Sequence, residues 1–147
     1  MGVRHKIVRL VAVAVPTLGA LGFASFSHVA AHPACSDRSA EGDYALQANG
    51  LTEDLTHHTA NLGRITVDGN GRLSGELTVS VNGRIATAQT VKGSYSVNDD
   101  CTGSESFTIG ADPTVRTATF VIANGGRDID FLETDAGTVF IGAATRQ

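Results

Sequence analysis

The sequence is poor in the residues on which most binding and catalytic motifs depend. It contains no tryptophan, one methionine and two cysteines, and 18% of its 147 residues are charged. With no tryptophan and only 5% aromatic residues, a carbohydrate-stacking surface is disfavoured, because the core consumes most of the rings. No G-x-S-x-G segment occurs, which argues against a nucleophile elbow. The low charge and a mean hydropathy of +0.03 exclude a disordered chain.

Basic residues are scarce once the N-terminus is set aside. Three of the eleven Lys and Arg residues precede residue 31, whereas none of the fifteen Asp and Glu residues does. The remaining eight cations and fifteen acids give residues 32–147 a formal net charge of −7. An acidic surface repels phosphate and anionic lipid, so we expect neither a nucleic-acid partner nor a peripheral membrane partner.

The first 31 residues have the pattern of a signal peptide. A positive segment and an apolar stretch at residues 7–24 are followed by Val29-Ala30-Ala31, which places small residues at the −3 and −1 positions of a cleavage site. A retained transmembrane anchor is the alternative, but the apolar run is interrupted and short. We therefore predict cleavage near Ala31, secretion, no stable membrane insertion afterwards, and one domain over residues 32–147.

Two cysteines, Cys35 and Cys101, remain after the predicted cleavage. In an oxidising compartment an even number of cysteines favours a disulfide, here between the N-terminal arm and the middle of the domain. Metal binding or redox chemistry is the alternative, but there is no C-x-x-C spacing, and the only other soft ligands are His32, His57 and His58. We predict the disulfide, and neither a metal nor a cofactor.

The chain is organised around residues 62–101, where apolar and polar residues alternate between turn signals. Asp68-Gly69-Asn70-Gly71 and Asn82-Gly83 supply the positive-φ positions of tight hairpins. This pattern predicts a β-meander. The β-branched and aromatic residues expected on its buried face are Val79, Val81, Ile85, Val91, Tyr95 and Val97.

Similar alternation before and after the meander brings the expected number of strands to about eight. The first strand begins at Gly42-Asp43-Tyr44, and glycine-rich turns separate the strands after Cys101. Residues 51–61 are the least strand-like and are predicted as a solvated crossover loop, with a short helix or a histidine metal site as alternatives. Consecutive hairpins favour an all-β, antiparallel up-and-down barrel. A β-sandwich, which needs longer Greek-key crossings, is the alternative.

A set of turn and cysteine motifs carries a resemblance to a known family. The motifs are Gly42-Asp43-Tyr44, the hairpin at residues 65–69 after Gly63, the Asn82-Gly83 turn, and GSYSVNDDCTGS at residues 93–104. Together they resemble small exported bacterial proteins with an allene-oxide-cyclase-like barrel, over most of residues 35–145. The resemblance implies a barrel that holds an apolar ligand, as plant cyclases, dirigent-like barrels and some bacterial polyketide cyclases do. It implies no functional residue, because no catalytic motif of that group matches.

Two glutamates are candidates for a site inside the barrel. By alternation, Glu105 is in phase with Phe107, and Glu133 is in phase with Phe131. A carboxyl group inside an eight-stranded barrel would be desolvated, which raises its pKa and suits it to general acid–base chemistry. The alternative is that both glutamates lie at strand ends in contact with water.

Gln89 joins these candidates, because it is in phase with Val91 and Ile85, and Tyr95 lies further along the same strand. The expected ligand-binding residues are therefore Glu105, Glu133, Gln89 and Tyr95.

Three classes of function stay open. The first is an exported barrel that binds a small apolar molecule, the second is a cyclase or isomerase of a small hydrophobic substrate, and the third is a cell-surface structural or interaction module. Small residues at barrel positions favour an interior with space, and so the first two classes. These residues are Ala45, Gly75, Ala86, Ala88 and Ala118. Export separates a cyclase from cytoplasmic pathway enzymes, which favours the first class.

Overall fold

Eight β-strands follow one four-residue 3-10 helix, Asp37–Ala40. A computed structural model of the protein describes residues 34–52 and 54–147, which belong to one compact unit, His32–Gln147. The predicted signal peptide, residues 1–31, lies outside the described residues, as do His32 and Glu53. The strands are β1 (Gly42–Thr52), β2 (His57–Val67), β3 (Arg72–Val81), β4 (Arg84–Val97), β5 (Thr102–Ile109), β6 (Arg116–Ala123), β7 (Asp128–Glu133) and β8 (Val139–Arg146).

The strands close into an antiparallel up-and-down barrel. Each strand pairs with its neighbours in sequence, and β8 pairs with β1. The predicted barrel is confirmed, and the sandwich alternative is wrong. Tight turns account for this topology: Asn82 and Gly83 have φ of +49° and +81°, as a two-residue hairpin that follows the strand twist requires.

Small residues on the inner face serve strand packing more than they leave space. A Cβ atom on Gly75 would lie 2.1 Å from the backbone oxygen of Arg64, so glycine lets β2 and β3 approach closely where the sheet coils. Ala45 lies between Tyr44 and Leu46, which both face the core, so Ala45 faces outward. The composition of small residues is therefore a poor guide to the volume of the interior.

A bulge in β4 reverses the predicted direction of Ile85. Between the pairs Leu77–Gln89 and Val79–Ala86, β4 has two residues where β3 has one. Beyond this bulge the alternation shifts by one residue, so Ala86 lines the barrel opening, whereas Ile85 is 71% exposed. The prediction that Ile85 faces the core is wrong, because alternation alone does not reveal an inserted residue.

The predicted crossover loop at residues 51–61 is also wrong. β1 continues to Thr52, which pairs with His57 at the start of β2. The inward residues here are polar, including Thr59 and Asn61, because they lie near the barrel opening. Polar residues on both faces remove the apolar alternation by which a strand is recognised.

The 3-10 helix Asp37–Ala40, which we call the plug, closes the barrel end at which β1 begins. Ala40 is 1% exposed and packs within the core cluster. The predicted disulfide is confirmed: Cys35 joins Cys101, with their Cα atoms 5.0 Å apart. The backbone N–H of Val97 also donates a hydrogen bond to Asp37 Oδ1, at 2.8 Å. Covalent and polar contacts thus fix the plug from the side of β4 and β5.

Both tyrosines of the chain direct their hydroxyl groups at the plug. The Tyr44 hydroxyl lies 3.0 Å from the Ala40 carbonyl oxygen and 2.9 Å from that of Gly126. The Tyr95 hydroxyl donates to the Asp37 carbonyl oxygen at 3.0 Å. Two inward tyrosines therefore satisfy buried backbone oxygens where the sheet itself offers no donor.

Candidate functional site

The barrel end opposite the plug is open, and we call it the mouth. It contains a pocket of about 210 Å³, which is larger than the cavity of about 150 Å³ that accommodates benzene in another protein. Six of its ten lining residues are polar and four are apolar. The mouth residues are Thr52, Thr59, Asn61, Val79, Val81, Ala86, Gln89, Ile109, Asp112 and Arg116.

Two small cavities lie between the mouth and the plug, each of about 30 Å³. The first, which we call the central cavity, shares Asn61 and Ile109 with the mouth. The second borders Ala40 of the plug, and Glu105 lines both cavities. A cavity that holds one water needs about 10–15 Å³, so each has room for one or two atoms of that size.

The central cavity is apolar except at two positions. Nine of its eleven lining residues are apolar, and the two polar residues are Asn61 and Glu105. Asn61 is 8% exposed, and its Oδ1 atom has no hydrogen-bond partner among the described residues. Three phenyl rings, of Phe107, Phe131 and Phe140, complete the apolar wall.

The two predicted glutamates lie in one row on the inner face. Tyr95 pairs with Glu105, Glu105 pairs with Ala118, and Ala118 pairs with Glu133. The two glutamates are two strand spacings apart, or roughly 10 Å between Cα atoms. Because alanine stands between them, no bulky side chain separates the carboxyl groups.

Burial raises the pKa of both carboxyl groups. The pKa of Glu105 rises to about 7, first because desolvation penalises the charged form and second because the Glu133 carboxylate lies nearby. Desolvation also raises the pKa of Glu133; the Arg116 guanidinium lowers it, and Asp135 raises it further. Glu105 therefore titrates near neutral pH.

Arg116 lines the mouth, and its guanidinium group lies close enough to Glu133 to lower the pKa of that carboxyl group. Glu133 is 5% exposed, and its Oε2 atom has no hydrogen-bond partner among the described residues. Arg116 forms an ion pair with Asp112, in which Nη2 lies 3.6 Å from Oδ2. The buried Nε atom of Arg116 has no hydrogen-bond partner in the described part of the chain. Unpaired buried polar atoms are costly, so several groups here have unused capacity to bind a ligand.

The four residues proposed from the sequence occupy three different places. Glu105 and Glu133 face the interior, as alternation predicts. Gln89 lies at the mouth, where its Nε2 donates to the Thr87 backbone oxygen at 2.8 Å. Tyr95 lines the cavity beside the plug, and its hydroxyl group is engaged with Asp37. The structure thus brings the two glutamates together and assigns Tyr95 a clear role in holding the plug.

Sequence reasoning missed Asn61 because residues 51–61 were interpreted as a loop. The available signal was its phase: Asn61 is four residues before Ile65 and six before Val67, both of which are buried. On a strand these three residues share a face.

Turn chemistry accounts for the acidic residues of the hairpins. Asp68 Oδ1 accepts hydrogen bonds from the backbone N–H groups of Asn70 and Arg72, at 2.7 and 3.0 Å. These bonds lower the pKa of Asp68. Within residues 34–52 and 54–147, no group of three or more His, Cys, Asp or Glu side chains is arranged to hold a metal ion. The same residues include no helix long and apolar enough to cross a membrane.

Comparison of the chain with protein-family models, with curated proteins and with solved structures finds no match. The resemblance to allene-oxide-cyclase-like barrels therefore stays a prediction from the motifs.

Proposed function

We propose that the protein acts outside the cytoplasm and binds a small, largely apolar molecule that enters the barrel through the mouth. The observation that carries this proposal is the asymmetry of the two barrel ends. The plug and the Cys35–Cys101 disulfide close one end, while the other opens into a pocket of about 210 Å³. A disulfide is typical of proteins that fold in an oxidising compartment, which supports export.

The sizes of the cavities limit the ligand. Pockets for drug-sized molecules have volumes of about 300–1,000 Å³, whereas the mouth pocket has about 210 Å³. A single ring or a short chain fits the mouth, with one end reaching past Ile109 into the central cavity. Val79, Val81 and Ile109 line the mouth, so burial of an apolar group against them is favourable.

Titration with toluene tests this proposal. Binding should shift the methyl resonances of Ile109 in NMR spectra of the mature protein. Ala86→Phe, which fills the mouth, should abolish the shift. Ile85→Phe is the matched control, because the neighbouring residue points outward and is 71% exposed. Unchanged Ile109 resonances at saturating toluene would overturn the proposal.

A second candidate function is acid-catalysed isomerisation or cyclisation of a small hydrophobic substrate. It is favoured by Glu105, whose pKa of about 7 leaves a protonated fraction at neutral pH, next to an apolar cavity. Styrene oxide is a suitable test substrate, since protonation of its ring oxygen promotes opening. Catalysis would appear as consumption above the buffer rate that Glu105→Gln abolishes. Consumption equal to the buffer rate would leave binding alone.

A further inference from the structure

The central cavity combines two unpaired acceptors with an otherwise apolar wall. Asn61 Oδ1 is buried and has no hydrogen-bond partner among the described residues. No hydrogen bond joins the Glu105 carboxyl group to another described side chain, and the two residues are the only polar ones that line this cavity in the described part of the chain. A buried acceptor without a donor, such as Asn61 Oδ1, is rare in folded proteins and calls for an explanation.

A donor that enters from outside provides that explanation. From the cavity lining we infer that the barrel recognises a small primary amine, whose ammonium group occupies the central cavity between Asn61 and Glu105 while its apolar body lies in the mouth. This inference rests on the proposed function, since it specifies the ligand that the mouth admits.

An ammonium group suits the cavity better than other donors do. It is about the size of a water molecule, and the cavity volume of about 30 Å³ accommodates a group of that size. Its three N–H donors satisfy both acceptors, whereas a hydroxyl group has one proton to donate. The rings of Phe107, Phe131 and Phe140 line the same cavity, and aromatic faces attract cations. An anion would meet the Glu105 carboxylate and is disfavoured.

The row of glutamates favours a cation as well. The Glu133 carboxylate is two strands from Glu105 and raises the pKa of Glu105. A bound ammonium group would relieve the repulsion between these two carboxylates. The site would therefore bind the amine most tightly when Glu105 is ionised.

The acceptors can be reached from the mouth. Asn61 and Ile109 line both the mouth pocket and the central cavity, so the two spaces are adjacent, and Glu105 lines the central cavity. On the plug side, Ala40 and Tyr95 line the next cavity, and that end is closed.

Benzylamine, benzyl alcohol and toluene form a matched probe series with one ring each. Dissociation constants from Ile109 methyl shifts, measured at about pH 8, should be at least about tenfold lower for benzylamine than for the other two probes, as a charge-assisted hydrogen bond predicts. Glu105→Gln and Asn61→Leu should each weaken benzylamine binding about tenfold or more and reduce its advantage over toluene binding. Glu76→Gln, on the exposed outer face of β3, should change neither.

The affinity should also depend on pH. An alkyl amine stays protonated over this range, whereas Glu105, with a pKa of about 7, gains a proton as the pH falls. Lowering the pH from about 8 to about 5.5 should weaken benzylamine binding about 30-fold, and Glu105→Gln should remove this dependence. Other titratable or charged groups that face the interior or the mouth include Asp37 of the plug, Asp112 of the mouth, and Tyr44, His57, Tyr95, Arg116, Glu133 and Arg146 on the strands. If benzylamine binding by Glu105→Gln still depends on pH, one of these other groups causes the dependence and the inference is wrong.

The outcomes separate the two proposals. If all three probes bind with similar affinity, the amine inference is wrong and the proposed function stands. If no probe binds, both are wrong. If benzylamine alone binds tightly but Asn61→Leu and Glu105→Gln bind it equally well, the assigned site is wrong.

Discussion

Replacing Glu105 with glutamine should make the protein more stable at alkaline pH and leave it unchanged in acid. The folded-state pKa of Glu105 is raised from 4.5 to about 7, so between these values the folded protein binds a proton more tightly than the unfolded chain does. The free energy of unfolding therefore falls as the pH rises through this window. Glutamine keeps the shape of the protonated carboxyl group and carries no charge at any pH.

The size of this difference in stability follows from the rise in the pKa of Glu105. One pKa unit corresponds to about 1.4 kcal/mol. The rise in the pKa of Glu105 from 4.5 to about 7 therefore lowers the free energy of unfolding of the wild type by about 3 kcal/mol between about pH 4 and pH 8. Glu105→Gln should not show this decrease in the free energy of unfolding, because glutamine does not ionise. At about pH 4 the two proteins should have equal stability, and at about pH 8 the variant should be more stable by about 3 kcal/mol.

Urea unfolding at both pH values, with the disulfide intact, measures this difference. Glu76→Gln serves as the control, because Glu76 is exposed on the outer face of β3 and its replacement should have the same small effect at both pH values. Acidic turn residues such as Asp68 titrate in every variant and cancel in the comparison. A difference between wild type and Glu105→Gln that stays constant within about 0.5 kcal/mol would refute the reasoning.

Three further predictions concern the fold. Cys101→Ser opens the Cys35–Cys101 crosslink and should lower the free energy of unfolding by about 2–4 kcal/mol; a full two-thiol titre in exported, denatured wild type would contradict the crosslink. Gly83→Val should cost about 1–3 kcal/mol in urea unfolding, because valine is strained at a φ of +81°, even though a Cβ atom there meets nothing within 4 Å. Tyr44→Phe removes the one hydroxyl proton that the carbonyl oxygens of Ala40 and Gly126 share, and it should cost about 1–3 kcal/mol; an unchanged unfolding midpoint would show that water replaces the hydroxyl group.

Much of the fold could be predicted from the sequence because its turns carry local signals. Asn82-Gly83 needs positive φ at both positions, and few other local conformations suit that dipeptide between alternating strands. A chain of such hairpins leaves an up-and-down arrangement as the simplest solution. The bulge in β4 escaped prediction, since one inserted residue near Ala88 changes no composition and only shifts the phase of Ile85.

The site was only partly predictable, because its geometry depends on closure of the barrel. Alternation correctly placed Glu105 and Glu133 on the inner face. The small volume of the central cavity and the contact of Asn61 with it depend on residues from strands across the barrel, which no local pattern reports. The role of Tyr95 was missed for the same reason: its partner, Asp37, is 58 residues away in the sequence.

The position of Glu105 is itself an argument for a role beyond folding. An apolar residue of similar size would pack beside Phe107 without a desolvation penalty, and replacing buried polar groups in this way is often neutral or stabilising. A cost of about 3 kcal/mol above neutral pH is a large share of the 5–15 kcal/mol that typically separates folded from unfolded domains. Residues that destabilise the fold by this much are expected mainly at functional sites. The Glu105 carboxyl group and the unpaired Asn61 oxygen line one cavity, which adjoins the open mouth, so a ligand that pairs with both acceptors would offset this cost when it binds.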